Sequence, residues 1–423
     1  MSYKHEKKAV IAIAASNYLE AGAIVAGAGG LSLWVKYLHL TDWWVGLLGA
    51  LSANGFGAAI GAIIGGYFID HFGRKFIYKY DLLIYMLGIL MITIAHSFLI
   101  LLLGYIIVGI AVGALIPAAW TYIAEEAPPE KRAARVGWSQ FAWSMGPAIT
   151  LFLSTILAPL GILGSRIIFA QLFIVALFTW ILQQQIRESQ IWEQETKKQS
   201  HDHNGLKIMI SNMKEMFMQR VNLKAFLFLI GIYFFWNLVA GTMGYFMPYI
   251  YERVGGLTNT MANLVQGVLW TFTVISTYFV FIRLGDKVNR KVLFGISSIM
   301  NIIAWVILSY WGMGLTELLI FIILWGVAAG FSAQAFYALF ASELFHTKYR
   351  AQAQGLMFCI VRAGVGVISL VIPLMISHFG FTVSGTIMII FLLISMIFGL
   401  LMIPNTQGRS LRSLEQERYE KNS

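Results

Sequence analysis

The chain lacks most of what a soluble enzyme carries. Among its 423 residues there is one cysteine, Cys359, so no disulfide can form within it. Only 12% of the residues are charged, about half the proportion usual in soluble domains. There is no glycine loop of the phosphate-cradling kind, no His/Cys metal cluster and no nucleophile motif. His201-Asp202-His203 stands in a polar stretch and reads as solvated surface rather than a metal site. Neither enzyme chemistry nor a bound cofactor or metal is expected.

What fills the chain is apolar. Hydrophobic residues make up 58%, and the mean hydropathy is +0.73. This composition demands a lipid bilayer, where the backbone must satisfy its own hydrogen bonds as helices or a closed barrel. The apolar runs are far longer than the roughly 10 residues of a barrel strand, so the chain is expected to be all-α. Twelve spans are predicted at 9–36, 43–69, 76–96, 98–122, 136–160, 165–186, 223–251, 260–282, 292–311, 315–342, 351–377 and 381–403. The first opens like a secretory leader but runs on to Tyr37, too long for one, so it is expected to be retained.

Basic residues gather on one side. Arg74, Lys75, Lys79, Lys131, Arg132, Arg135, Arg187, Lys197, Lys198, Lys287, Arg290, Lys291, Lys348 and Arg350 fall in alternate loops, on the side of both termini. That side is expected to be the cytoplasmic face of the cell membrane. The net charge of +10 then belongs to the inner face, and nucleic acid is not an expected partner.

The chain also repeats itself. Asp70 and Asp286 are 216 residues apart, Glu125 and Glu343 218, and Glu188-Ser-Gln and Asn405-Thr-Gln 217. In the first copy Gly65 and Gly66 allow close helix contact, and Gly73 allows the positive φ of a tight turn; Asn289 takes that turn position in the second. The duplication predicts a first six-helix bundle at 1–186 and a second at 223–404. Between them lies a linker, 187–222, in which Lys207 to Arg220 could form an amphipathic surface helix. Residues 405–423 form a tail on the same side.

These landmarks carry a family resemblance. Gly66-x-x-x-Asp70-x-x-Gly73-Arg74-Lys75 resembles the loop between helices 2 and 3 of the major facilitator superfamily. Tyr122-Ile-Ala-Glu-Glu-Ala-Pro-Pro-Glu-Lys-Arg132, Arg187-Glu-Ser-Gln-Ile-Trp192, Ser342-Glu-Leu-Phe-His-Thr-Lys-Tyr-Arg350 and Pro404-Asn-Thr-Gln-Gly-Arg-Ser-Leu411 resemble the later motifs of its sugar-porter and organic-ion branches. The matches run in order along the whole chain. The resemblance implies twelve helices in two pseudo-symmetric bundles and a cytoplasmic latch. In that latch Asp70, Arg74, Glu125, Arg132 and Glu188 tie the first half, and Asp286, Arg290, Glu343 and Arg350 the second.

Ionisable residues inside a span point to function. Glu20 lies mid-way along the first span and Arg362 mid-way along the eleventh. Glu20 resembles the helix 1 carboxylate of proton-coupled sugar porters, which implies a proton-coupling role; a static ion pair or a substrate hydrogen bond is the alternative. The family's helix 4 pairs that acid with the Arg of Gly-Arg, but this chain has Gly104-Tyr105, and Arg362 could stand in. Arg362 resembles the organic-ion branch, where it suits an anion. Ser139-Gln140-Phe resembles the sugar-contacting stretch of the bacterial xylose–proton symporter. The seventh span has Phe235-Trp236-Asn237 where sugar porters carry Gln-Gln. The candidate substrate-binding set is therefore Asn17, Gln140, Trp236, Asn237, Gln266 and Arg362, with Asn54 and Gln334 as further polar candidates and Trp143, Trp270 and Trp325 as stacking surfaces. The function expected is secondary active transport of a small polar organic solute, a sugar, polyol or organic carboxylate, with a proton, by a monomer. An uncoupled uniporter or an organic-ion exchanger of the same fold is the alternative.

Overall fold

The computed structural model describes residues 3–72, 74–125, 131–184, 205–345 and 347–420, and these are helices joined by short turns, with no strand among the described residues. The first half contains α1 (Tyr3–Leu38), α2 (Asp42–Leu51), α3 (Phe56–Phe72), α4 (Arg74–Thr93), α5 (Phe98–Glu125), α6 (Arg132–Leu157) and α7 (Ile162–Gln183). Helix α8 (Gly205–Met218) falls in the linker region. The second half contains α9 (Arg220–Arg253), α10 (Asn259–Ser276) with a π-helical extension (Thr277–Ile282), α11 (Arg290–Tyr310), α12 (Leu315–Ala329), α13 (Ala333–Leu344), α14 (Thr347–Phe379) and α15 (Phe381–Met402). A short α16 (Leu411–Glu420) follows. Among the described residues, 11 segments are long and apolar enough to cross a membrane. Helix α4, with 20 residues, completes the twelve spans of two six-helix bundles. Ile156, Phe178 and Leu401 lie exposed on the outer surface, as a lipid-facing wall requires.

Small residues set the packing inside the first bundle. A Cβ on Gly61 would fall 2.1 Å from the Ile110 carbonyl oxygen, and one on Gly65 2.4 Å from Ala114 Cα. Helices α3 and α5 can therefore meet backbone to backbone, as expected of Gly65. The bundles meet along α6 and α10, α14 and the α2–α3 pair, and α1 and α9.

Two spans read as continuous are broken. The second is interrupted at 52–55 and the tenth at 330–332. Ser52 turns its hydroxyl onto the Gly49 carbonyl at 2.8 Å and accepts from the Asn54 amide at 3.1 Å, which substitutes for helical bonding there. In the tenth span Asn301 donates to Ser332 Oγ at 2.9 Å. Irregular backbone survives at membrane depth only when buried in protein, and Ser52, Asn54 and Ser332 are all buried. A second correction concerns Asn289. Its φ is −56°, and its side chain accepts from the Lys291 amide as the cap of α11. Nothing there needs the left-handed turn. Gly73 lies outside the described residues.

Candidate functional site

The break in the second span builds the centre of the molecule. It presents Asn54 to α14 of the other bundle, where Arg362 donates to Asn54 Oδ1 at 3.1 Å and to its carbonyl at 3.5 Å. Asn54 Nδ2 in turn donates to the Gly241 carbonyl at 2.7 Å. The second arm of Arg362 lies 3.9 Å from Glu20 Oε1. Glu20 and Arg362 are 6% and 4% exposed, so the pair is cut off from water. Helix α5 supplies no countercharge. Tyr105 packs against Gly27, higher along α1, beside Tyr245 of α9.

Close approach fixes the neighbouring wall. A Cβ on Gly146 would fall 2.6 Å from the Tyr18 carbonyl oxygen, so glycine there lets α6 lie on α1. Asn17 then donates to Ser139 Oγ at 2.9 Å, a bond between two helices of one bundle. The next residue, Gln140, faces the other bundle and accepts from Gln334 Nε2 at 3.0 Å.

Beside these bridges lies a small cavity walled by Trp236, Trp270, Trp305, Trp325, Gln266 and Met243 among others. Trp236 and Trp325 lie nearly parallel, 6.4 Å apart at 10°. Buried polar atoms remain without partners here: Gln266 Oε1, Trp236 Nε1, Trp270 Nε1 and, nearby on α9, Asn237 Oδ1. The structure thus brings together Glu20, Arg362 and Asn54, then Gln140 and Gln334, then Trp236 and Gln266. It commits Asn17 to a bond inside its own bundle.

The two ends are closed by different means. At the end bearing the basic loops, Arg132 crosses the bundles to Glu343 Oε1 at 3.0 Å rather than tying its own half, while Arg290 and Thr406 reach Glu343 Oε2 at 2.9 and 2.6 Å. Asp286 crosses too: its carboxylate accepts from the amides of Ala133 and Ala134 at 3.1 and 3.0 Å, capping α6 from the opposite bundle. Arg290 lies 3.5 Å from Asp286, an in-bundle pair at the expected four-residue spacing. Arg350 is buried and donates to the Phe345 carbonyl. Asp70 lies in the last turn of α3, Arg74 starts α4 and Glu125 ends α5, but their side chains, like all of Glu188, lie outside the described residues.

The opposite end holds a cluster that sequence reasoning missed. Ser32 and Asn259 donate to Glu252 Oε1 at 2.8 and 2.9 Å, and Asn259 and Asn263 both reach the Gly29 carbonyl at 3.1 Å. Arg253 pairs with Asp42 beside them. One signal was available: Glu252 is the only carboxylate in α9. Ties thus cross between the bundles at both mouths and at the centre.

Comparison with known proteins agrees with this architecture. Residues 35–417 match the family described as sugar (and other) transporter. The chain is 46% identical over 414 residues to the minor myo-inositol transporter IolF of Bacillus subtilis, covering 97% of this chain and 94% of that one. It is 23% identical over 431 residues to the arabinose-proton symporter of the same organism, covering 93% and 90%. The structure of the proton:xylose symporter XylE bound to 6-bromo-6-deoxy-D-glucose superposes with a TM-score of 0.79 at 20% identity, covering 99% of this chain and 100% of that one. The chain is a multi-pass membrane transporter and belongs to the sugar (and other) transporter family, within the major facilitator superfamily.

Proposed function

We propose that the protein carries a cyclic polyol of the myo-inositol kind, together with a proton, across the plasma membrane, working as a monomer with its basic end in the cytoplasm. The observation that carries this reading is the tryptophan-walled cavity with unpartnered amide and indole groups. A cyclic polyol has an apolar ring face to lie against an indole and a rim of hydroxyls that both donate and accept. Gln266 Oε1 and Asn237 Oδ1 can accept from such hydroxyls, and the nitrogens of Trp236 and Trp270 can donate to them. The similarity to a myo-inositol transporter supports the same class. An organic carboxylate fits less well, because Arg362 is already held by Asn54 and Glu20.

Counterflow in proteoliposomes tests this directly. Preloaded myo-inositol should drive uptake of labelled myo-inositol, and a monocarboxylate should not compete. Gln140→Ala removes a donor and an acceptor beside the cavity, at about 0.5–1.5 kcal/mol per hydrogen bond, so apparent affinity should fall about tenfold. Counterflow that responds only to carboxylates would reverse the substrate assignment.

Arg362→Lys probes the central pair. The guanidinium serves Asn54 and Glu20 with two different arms, and an ammonium offers a single point. The variant should transport poorly although its charge is unchanged. Wild-type counterflow in Arg362→Lys would mean that charge alone matters there.

A further inference from the structure

Asp81 stands on α4, seven residues past the start of that helix, and is 5% exposed. Among the described residues no hydrogen bond or ion pair reaches its carboxylate. A lone carboxylate is hard to keep charged in such a place, because taking it out of water costs several kcal/mol with no countercharge to offset it.

Its position ties it to the central site. Tyr85, one helical turn further along α4, donates to the Leu19 carbonyl at 3.0 Å. Leu19 immediately precedes Glu20. Four residues of helix span about 6 Å, so Asp81 lies one turn nearer the basic mouth than this contact with α1. Among the described residues the surrounding groups give it no partner; on its own helix the side chains of Arg74, Lys75 and Tyr78 lie outside the described residues. On its own helix, Lys79 is exposed with its ammonium over the Tyr80 ring. From α1, Tyr18 accepts from Gln171, and Glu20 faces Arg362. Helix α7 has no ionisable side chain beyond Arg166, which binds the Ala95 carbonyl at the opposite end. Helix α5 offers Tyr105, beside Gly27, and Tyr122 and Glu125 at its basic end; α3 carries Asp70 and His71 in its last turn.

We propose that Asp81 is a second proton-binding carboxyl of the transport cycle, protonated while shielded and ionised when water reaches it from the open basic mouth. The step is balanced: one carboxylate oxygen gains a proton from water on one side and returns it to water later. No other bond changes. This rests on the proton-coupled reading given above.

The test uses the whole protein in liposomes, with labelled myo-inositol as the probe and an imposed pH gradient. Wild type must first accumulate myo-inositol against its gradient; if it does not, the proton-coupled reading fails, and Asp81's role fails with it. Given a coupled wild type, Asp81→Asn should lose most accumulation while keeping counterflow within about twofold. Its counterflow rate should also lose the pH dependence that wild type shows. Asp81→Glu restores an ionisable group, so it should recover accumulation with a displaced pH profile. Undiminished accumulation and an unchanged pH profile in Asp81→Asn would overturn the proposal and leave a neutral acid that only packs. If Asp81→Asn does not fold, as judged by size-exclusion chromatography, the Glu variant decides: a pH profile superposable on wild type would overturn the proposal, and a displaced one would support it.

Discussion

Glu20→Gln is expected to abolish uphill accumulation of substrate while leaving exchange intact. Glu20 sits on α1 and its countercharge, Arg362, on α14 of the other bundle, 3.9 Å away. Opening either mouth moves the bundles relative to one another and can separate the two. A buried carboxylate that loses its cation takes up a proton in preference to staying charged. The conformational change then alters proton affinity, which is what coupling needs. A permanently neutral Gln cannot follow. A gradient of one pH unit carries about 1.4 kcal/mol per proton, enough for about tenfold accumulation, and the variant should lose all of it. Counterflow moves no net proton and should persist. Loss of both activities would place Glu20 in substrate binding instead. Undiminished accumulation in the variant would remove Glu20 from the coupling mechanism.

The spans were legible because lipid leaves so few options for the backbone, and an apolar run of sufficient length declares itself. Glu20 and Arg362 were legible for the same reason, since a charge in an apolar run stands out. Their pairing was not, because it depends on how two halves distant in sequence come together. The same limit applies to Asp286. Its four-residue spacing from Arg290 gave the in-bundle pair, but its bonds to Ala133 and Ala134 cross between the bundles. The break at 52–55 was hidden as well. Ser52-Ala-Asn-Gly55 reads as a weakly polar patch in a long run, and only burial against α14 shows why the helix yields there. Glu252 was overlooked because it sits at a span end, where a charge is ordinary; its meaning comes from Ser32 and Asn259, which no local pattern links to it.

The cluster at the basic end should respond to substitution more strongly than exposed ion pairs would. As partly exposed pairs its members would contribute about 0–1 kcal/mol each. The side chains of Arg132 and Glu343 are instead 2% and 0% exposed, and breaking a buried pair from one side costs about 3–5 kcal/mol. Arg290 and Thr406 bind Glu343 within one bundle, and those bonds can persist when the gate opens. Arg132 binds it from the other bundle, and that bond cannot. Glu343→Gln should therefore weaken the closed form selectively. At about 1.4 kcal/mol per tenfold, even the lower end of that range shifts the closed-to-open ratio by more than a hundredfold. Spin labels at Lys79 and Lys291, both exposed and on opposite bundles at the basic end, would report it, with Cys359 replaced by Ser. The variant should show a longer distance population that is minor in wild type. Counterflow should slow, because the carrier must still close this mouth to complete its cycle. Arg132→Gln should move the label distances in the same direction, since it removes the crossing bond and leaves Arg290 and Thr406 in place. Distance distributions identical to wild type in both variants would mean that Asp286 and its two amide bonds, not the Arg132–Glu343 pair, hold this mouth shut.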